Sequence, residues 1–124
     1  MINFEGFSLS PNLKNSLARM NFKVPTPIQI SSIPIALEGR DILGSAQTGT
    51  GKTAAFSIPM VELLSRSKQG SALVLTPTRE LANQVIAVII QLLGKNNPIK
   101  AACLIGGESM HKQLGQLKSR PRII

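Results

Sequence analysis

The chain has 124 residues, 43% hydrophobic and 16% charged, with 14 Lys and Arg against six Asp and Glu for a formal charge of +8. A chain of this length buries roughly two-thirds of its unfolded surface, so one compact domain is expected, and the composition excludes an intrinsically disordered protein. Its single cysteine, Cys103, excludes an internal disulfide framework or a Cys-based metal site, while the positive excess points to polyanionic partners such as nucleic acid or nucleotide phosphates.

The opening residues, MINFEGFSLS, have neither a basic start nor a continuous apolar core and do not read as a secretory signal. SLSPNLKNSLARMNF predicts a helix capped by Ser10, begun at Pro11, with Leu13, Leu17 and Met20 on one face. In PTPIQISSIPIALEGRD, Thr26 can cap a second helix, Pro27 can begin it, Pro34 should bend or restart it and Gly39 can end it. DILGSA then reads as a buried strand entering a glycine-rich loop and a helix from about Lys52 to Leu64.

The alternation repeats. SALVLT reads as a strand, RELANQVIAVIIQLLG as a helix ending at Gly94, IKAACLIG as a strand, SMHKQLGQLKS as a helix and RII as the first residues of another strand. Such alternation implies right-handed crossovers and an α/β fold, a parallel sheet with helices on both faces. Ligands of these sheets sit beyond the carboxyl ends of the strands, which here carry GSAQTGTGK, TPTRE and IGGES. The longest apolar stretch, Leu81 to Leu93, is interrupted by Asn83, Gln84 and Gln91 and is too short to span a bilayer. No membrane partner is expected, and a reducing, cytoplasmic setting fits best. From Lys95 onward, Lys95, Lys100, Lys112, Lys118, Arg120 and Arg122 face only Glu108, which reads either as a surface for polyanions or as the solvation of helix faces.

The densest chemistry lies in GSAQTGTGKTAAF, Gly44 to Phe56. Glycine lets successive backbone N–H groups point at phosphate oxygens without obstruction by Cβ atoms, and the helix that follows adds its positive end. Gly49 and Gly51 supply that freedom, Lys52 is expected to reach the β and γ phosphates, and the Thr53 hydroxyl to join the coordination of Mg²⁺. Ala46 replaces the first glycine of the general phosphate-loop pattern. Two other readings of this stretch stay open: a structural turn, and a dinucleotide-binding glycine pattern. The second needs an acid at the end of the next strand, yet none lies between Glu62 and Glu80.

Taken in order, FKVPTPIQ, AQTGTGKT, PTRELA and IGG resemble the first RecA-like domain of DEAD-box ATP-dependent RNA helicases of the bacterial type. The resemblance runs from Phe4 to the terminal RII and implies a partial RecA-like P-loop domain. It assigns residues 1–39 to N-terminal helices with an adenine-recognition motif and residues 40–124 to an incomplete ATP-binding domain. Gln29 matches the family's adenine-reading glutamine, whose primary amide complements the N6 and N7 edge of adenine. Phe22 matches the aromatic that stacks on adenine and Phe4 the aromatic upstream, with Asn21 where the family usually has glycine. Gln29 as an exposed helix residue and Phe4 as simple core are the plainer readings.

ATP is thereby expected to contact Phe4, Phe22, Gln29, Gln47, Thr48, Gly49, Thr50, Gly51, Lys52, Thr53 and Ala54, with Lys52 and Thr53 as the catalytic candidates and Thr53 as the metal ligand. RNA backbone contacts are expected at Pro77, Thr78, Arg79, Gly106 and Gly107, although Arg79 and Glu80 could equally pair with each other and the glycines form an ordinary turn. His111 is read as an exposed solitary histidine and Cys103 as a small core residue. The family's acidic motif and its second RecA-like domain, a partner in catalysis, are not in these 124 residues. The chain is therefore expected to be an N-terminal fragment that grips ATP and part of an RNA surface without turning over, and to expose an apolar sheet edge.

Overall fold

A short 3₁₀ turn over Phe4–Gly6 precedes the helices α1 (Pro11–Arg19), α2 (Pro27–Leu37), α3 (Lys52–Arg66), α4 (Arg79–Leu93) and α5 (Met110–Lys118) in a computed structural model that describes residues 3–124. Each helix starts where a local signal directs it. Pro11 and Pro27 occupy the first helical positions of α1 and α2, where a missing N–H is harmless. Thr78 accepts a hydrogen bond from Leu81 N–H at 3.1 Å to cap α4, and Ser109 accepts one from Lys112 N–H at 3.3 Å to cap α5. Ser10 holds the capping position of α1 without a side-chain bond. Its backbone N–H instead donates to Glu62 Oε2 at 3.0 Å.

After α1 the chain turns through Asn21 at φ +61°, the left-handed conformation that asparagine tolerates where glycine would be usual. In α2 the expected break at Pro34 does not occur: the helix runs through it to Leu37. Pro34 lies in the last turns, so few backbone bonds are affected, and the complete burial of Ile33 beside it in the common core holds the segment helical.

α3 packs against both α2 and α4, and α1 packs against α3 and α4. Their shared core contains Leu13 and Leu17 of α1, Ile58 and Val61 of α3, and Ile89 and Leu92 of α4, joined by Ile99 and Ile123 from the intervening segments. Each such side chain contributes about 1.5–3 kcal/mol when removed from water. Glu62, almost fully buried, ties the N-terminal segment to α3: besides Ser10 it pairs with Arg66 at 3.1 Å, and Arg66 Nη2 donates to Ser8 O at 2.7 Å.

Of the expected parallel sheet with helices on both faces, the structure shows only the parallel sense of pairing. Among the described residues the ladder is reduced to two isolated parallel bridges, Ala72 with Ile123 and Ala101 with Ile123. These place residues 122–124 between the segments 71–76 and 99–104. Ala72 N–H donates to Arg122 O at 2.7 Å, Ile124 N–H to Ala72 O at 3.0 Å and Ala102 N–H to Ile123 O at 2.9 Å. An extended ladder needs several successive pairs on each strand, and the central segment offers three residues. The expected strand at 41–46 forms no bridge among the described residues, and Ile42 and Leu43 are exposed where burial was expected. α5 forms where SMHKQLGQLKS predicts a helix and buries none of its residues. Val85 and Ile89 of α4 line a hollow with Val74, Ala102 and Ile123 of the paired segments.

Candidate nucleotide and nucleic-acid sites

The glycine-rich loop ends at Gly51, which precedes α3 at φ +87°, and Gly49 adopts φ +84°. Both conformations belong to glycine. Thr50 Oγ1 donates to Gln47 O at 2.5 Å and draws the loop into a tight turn. Lys52 is exposed and forms no ion pair among the described residues. Thr53 is half-buried in the first turn of α3, whereas Ala54 is buried in the core and presents only backbone to a ligand. Gln47 and Thr48 are exposed. The loop opens onto a cavity of about 980 Å³ whose walls include Thr48, Gly49, Lys52, Thr53, Thr76 and Gln84. An unpaired ammonium, two left-handed glycines and a helix N-terminus on one open cavity fit a triphosphate tail.

Gln29 reaches this loop directly. It is 4% exposed, so it is not a surface helix residue. Its Oε1 accepts from Thr26 N–H at 3.0 Å in a capping box, and its Nε2 donates to Gly51 O at 3.1 Å. A primary amide carries two donor hydrogens and an oxygen with two lone pairs, so these two bonds leave one donor and one acceptor site of Gln29 unused. Phe22 takes a different position. Its half-buried ring stacks on Phe4 with centroids 5.9 Å apart and planes 28° from parallel, and Phe4 is itself buried in the core against Phe7. Phe4 and Phe22 line a hollow of about 310 Å³ with Lys14 and Lys23, which shares no wall residue with the loop cavity.

The segments PTRE and IGG do converge. Arg79 opens α4, and its guanidinium lies across the two glycines: a Cβ on Gly106 would stand 3.0 Å from Arg79 Nη2, and one on Gly107 would stand 2.6 Å from Nη1. Gly107 has φ +83°, an angle that strains any side chain, and a Cβ there would also displace the Arg79 guanidinium. The alternative pairing of Arg79 with Glu80 is not seen among the described ion pairs. Pro77 and Thr78 are exposed beside it at the start of α4. Arg79 thus presents an uncompensated, planar charge on a surface of bare backbone.

The family described as DEAD/DEAH box helicase matches residues 26–124. The chain belongs to this family. A DEAD/DEAH box relative, the ATP-dependent RNA helicase DBP10 of Chaetomium globosum, is 44% identical over 98% of this chain and 16% of its own length. A DEAD box protein from Methanococcus jannaschii superposes with a TM-score of 0.89 at 40% identity, covering 99% of this chain and 34% of that one. The RNA helicase Prp28 from Chaetomium thermophilum, solved bound to ADP, gives 0.87 at 37% identity over the whole chain and 31% of its own. These relatives are fungal and archaeal. The chain spans about one-sixth of the length of the curated relative and one-third of the structures.

His111 is exposed and Cys103 half-buried and unpaired, and among the described residues no group of three His, Cys, Asp or Glu could hold a metal ion. No helix among them is long and apolar enough to cross a membrane. Arg122, counted among the late basic residues, is structural: it donates to Leu64 O at 3.0 Å, Gln69 O at 2.7 Å and Gly70 O at 2.9 Å, closing the C-terminal end of α3. The sequence gives no signal for this, because its partners lie more than fifty residues away.

Proposed function

We propose that these residues form the nucleotide-gripping part of the first RecA-like domain of an ATP-dependent RNA helicase. The observation that carries the reading is the hydrogen bond from Gln29 Nε2 to Gly51 O, because it joins the group suited to adenine to the loop suited to phosphate in one rigid unit. In this reading residues 1–39 recognise the base, and residues 40–124 hold the phosphates and one side of the RNA. The segments 41–46, 71–76, 99–104 and 122–124 become strands of a parallel sheet in the complete domain. The location is cytoplasmic, on the strength of composition alone.

Phosphoryl transfer asks the protein mainly for positioning and charge stabilisation. Lys52 places a mobile positive charge beside the β and γ phosphates, and the backbone amides from Gly49 to Thr53 fix the oxygens in register with the helix end. The Thr53 hydroxyl would hold Mg²⁺ in this reading, and the ion would supply charge neutralisation at the phosphate oxygens. The remaining ligands, the group that orients water and the arginines of a second RecA-like domain are supplied from outside these residues. Arg79, with the Thr78–Leu81 turn and the two glycines, contacts RNA phosphates without reading bases, so affinity falls steeply with salt.

The test uses the full-length helicase that carries this chain. Lys52→Ala should abolish RNA-stimulated ATP hydrolysis, and Gln29→Ala should remove the preference for ATP over GTP. Equal binding of ATP and GTP by the unaltered protein would overturn the adenine reading, and full activity in Lys52→Ala would overturn the phosphate one.

A further inference from the structure

The two glycines under Arg79 form a turn between a paired segment and α5, and a single side chain on α5 holds both of its ends. Gln113 Oε1 accepts from Ile105 N–H at 3.1 Å, while Gln113 Nε2 donates to Ile105 O at 3.0 Å and to Glu108 O at 3.2 Å. One amide therefore brackets Gly106–Gly107 by binding the residue before the pair and the residue after it. The same helix offers an internal comparison. Gln116 Oε1 accepts from Cys103 N–H at 3.0 Å, on the same edge of the same segment but away from the turn.

We infer that Gln113 is a positioning residue for the RNA-backbone site, setting the height and tilt of the glycine turn against the Arg79 guanidinium. The inference rests on the reading of Arg79 and the glycine pair as that site. Its physical basis is geometric. The positions that Cβ atoms would take on Gly107 and Gly106 lie 2.6 and 3.0 Å from Arg79 Nη1 and Nη2, so the guanidinium packs directly on the bare backbone of both glycines, and the position of the turn sets the surface against which this flexible side chain rests. With no apolar residue of α5 buried, the Gln113 and Gln116 amides are the groups that fix the helix to the 101–105 segment. Losing Gln113 frees the turn; losing Gln116 loosens the segment two residues before it.

The measurement is RNA-stimulated ATP hydrolysis by the full-length helicase, titrated with single-stranded RNA, for Gln113→Met, Gln116→Met, Arg79→Ala and the double variant Arg79→Ala/Gln113→Met. Methionine keeps length and helix propensity and removes the hydrogen bonds. Gln113→Met should raise the RNA concentration for half-maximal stimulation about tenfold, as expected for one or two net hydrogen bonds, with KM for ATP and the unstimulated rate unchanged. Gln116→Met should leave the RNA response unchanged, and the double variant should match Arg79→Ala alone. An unaltered RNA response in Gln113→Met, an equal shift in Gln116→Met, or additivity with Arg79→Ala would each overturn the inference while leaving the RNA site standing. If Arg79→Ala itself has no effect, the site reading falls and the inference with it. Should Gln113→Met not fold, Gln113→Glu retains the acceptor for Ile105 N–H and loses both donors. It should show the same RNA shift, and an unaltered response there would be equally decisive against the proposal.

Discussion

A methyl group added at Gly51 would overlap Gln29 Nε2 and stand 3.0 Å from Thr26 Oγ1, and it would also hold a side chain at φ +87°. At Gly49 the same methyl group meets nothing within 4 Å, so only the backbone angle opposes it. The left-handed angle costs about 1–2 kcal/mol at either position. Displacing Gln29 adds the loss of a buried hydrogen bond at Gly51 alone. Gly51→Ala should therefore weaken ATP binding by about tenfold or more and lower Tm, whereas Gly49→Ala should be milder in both. Fluorescent-nucleotide titration and thermal unfolding decide the order, and a greater loss in Gly49→Ala would contradict it. The meeting of Gln29 with the loop was legible only through the resemblance of PTPIQ and GTGKT to the helicase family, not from the spacing of the two segments. Glu62 and Arg122 were not legible, since a carboxylate or guanidinium bound to backbone more than fifty residues away looks like any surface group until the chain is folded. Gln113 lies closer to its partners, eight residues from Ile105, but nothing in its neighbourhood distinguishes it from the other polar residues of α5.

Helices were the readable elements. Their caps and apolar spacing are properties of a dozen neighbouring residues, and α4 was expected to end at Gly94, where it does. The strands were not readable in the same sense, because an apolar run such as DILGSA specifies burial without specifying a partner, and the pairing partner decides whether a ladder forms. Caps offer a test at this scale. Thr78 makes its side-chain bond to Leu81 N–H and Ser10 makes none, although both hold the capping position. Thr78→Ala should cost about 1 kcal/mol of stability in the full-length protein, and Ser10→Ala close to nothing. Denaturant unfolding midpoints at unchanged slope check this. Equal losses would mean that the cap of α4 is not what fixes Arg79 at the head of that helix.

For the molecule as a whole, the distribution of apolar surface is informative. Leu43 is fully exposed, Leu75 and Leu73 are 83% and 69% exposed, and the paired segments 71–76 and 99–104 leave backbone edges open. Unpaired edges flanked by leucines favour association between copies. Residues 1–124 prepared alone should self-associate at micromolar concentration and hydrolyse no ATP, with sedimentation velocity and a coupled phosphate assay as the readouts. A monomeric, active preparation would contradict both statements.

The buried carboxylate of Glu62 ties these scales together in one further way. α3 has fifteen residues and is therefore a rod of about 22 Å, with the phosphate loop at its head and the Glu62–Arg66 clasp on Ser8 and Ser10 near its tail. A rod pivoting in a close-packed core behaves as a lever. If a triphosphate binds at the head as proposed, any tilt it imposed would pass through that clasp to the peptide leading into α1, the stretch that carries the Phe4 and Phe7 rings.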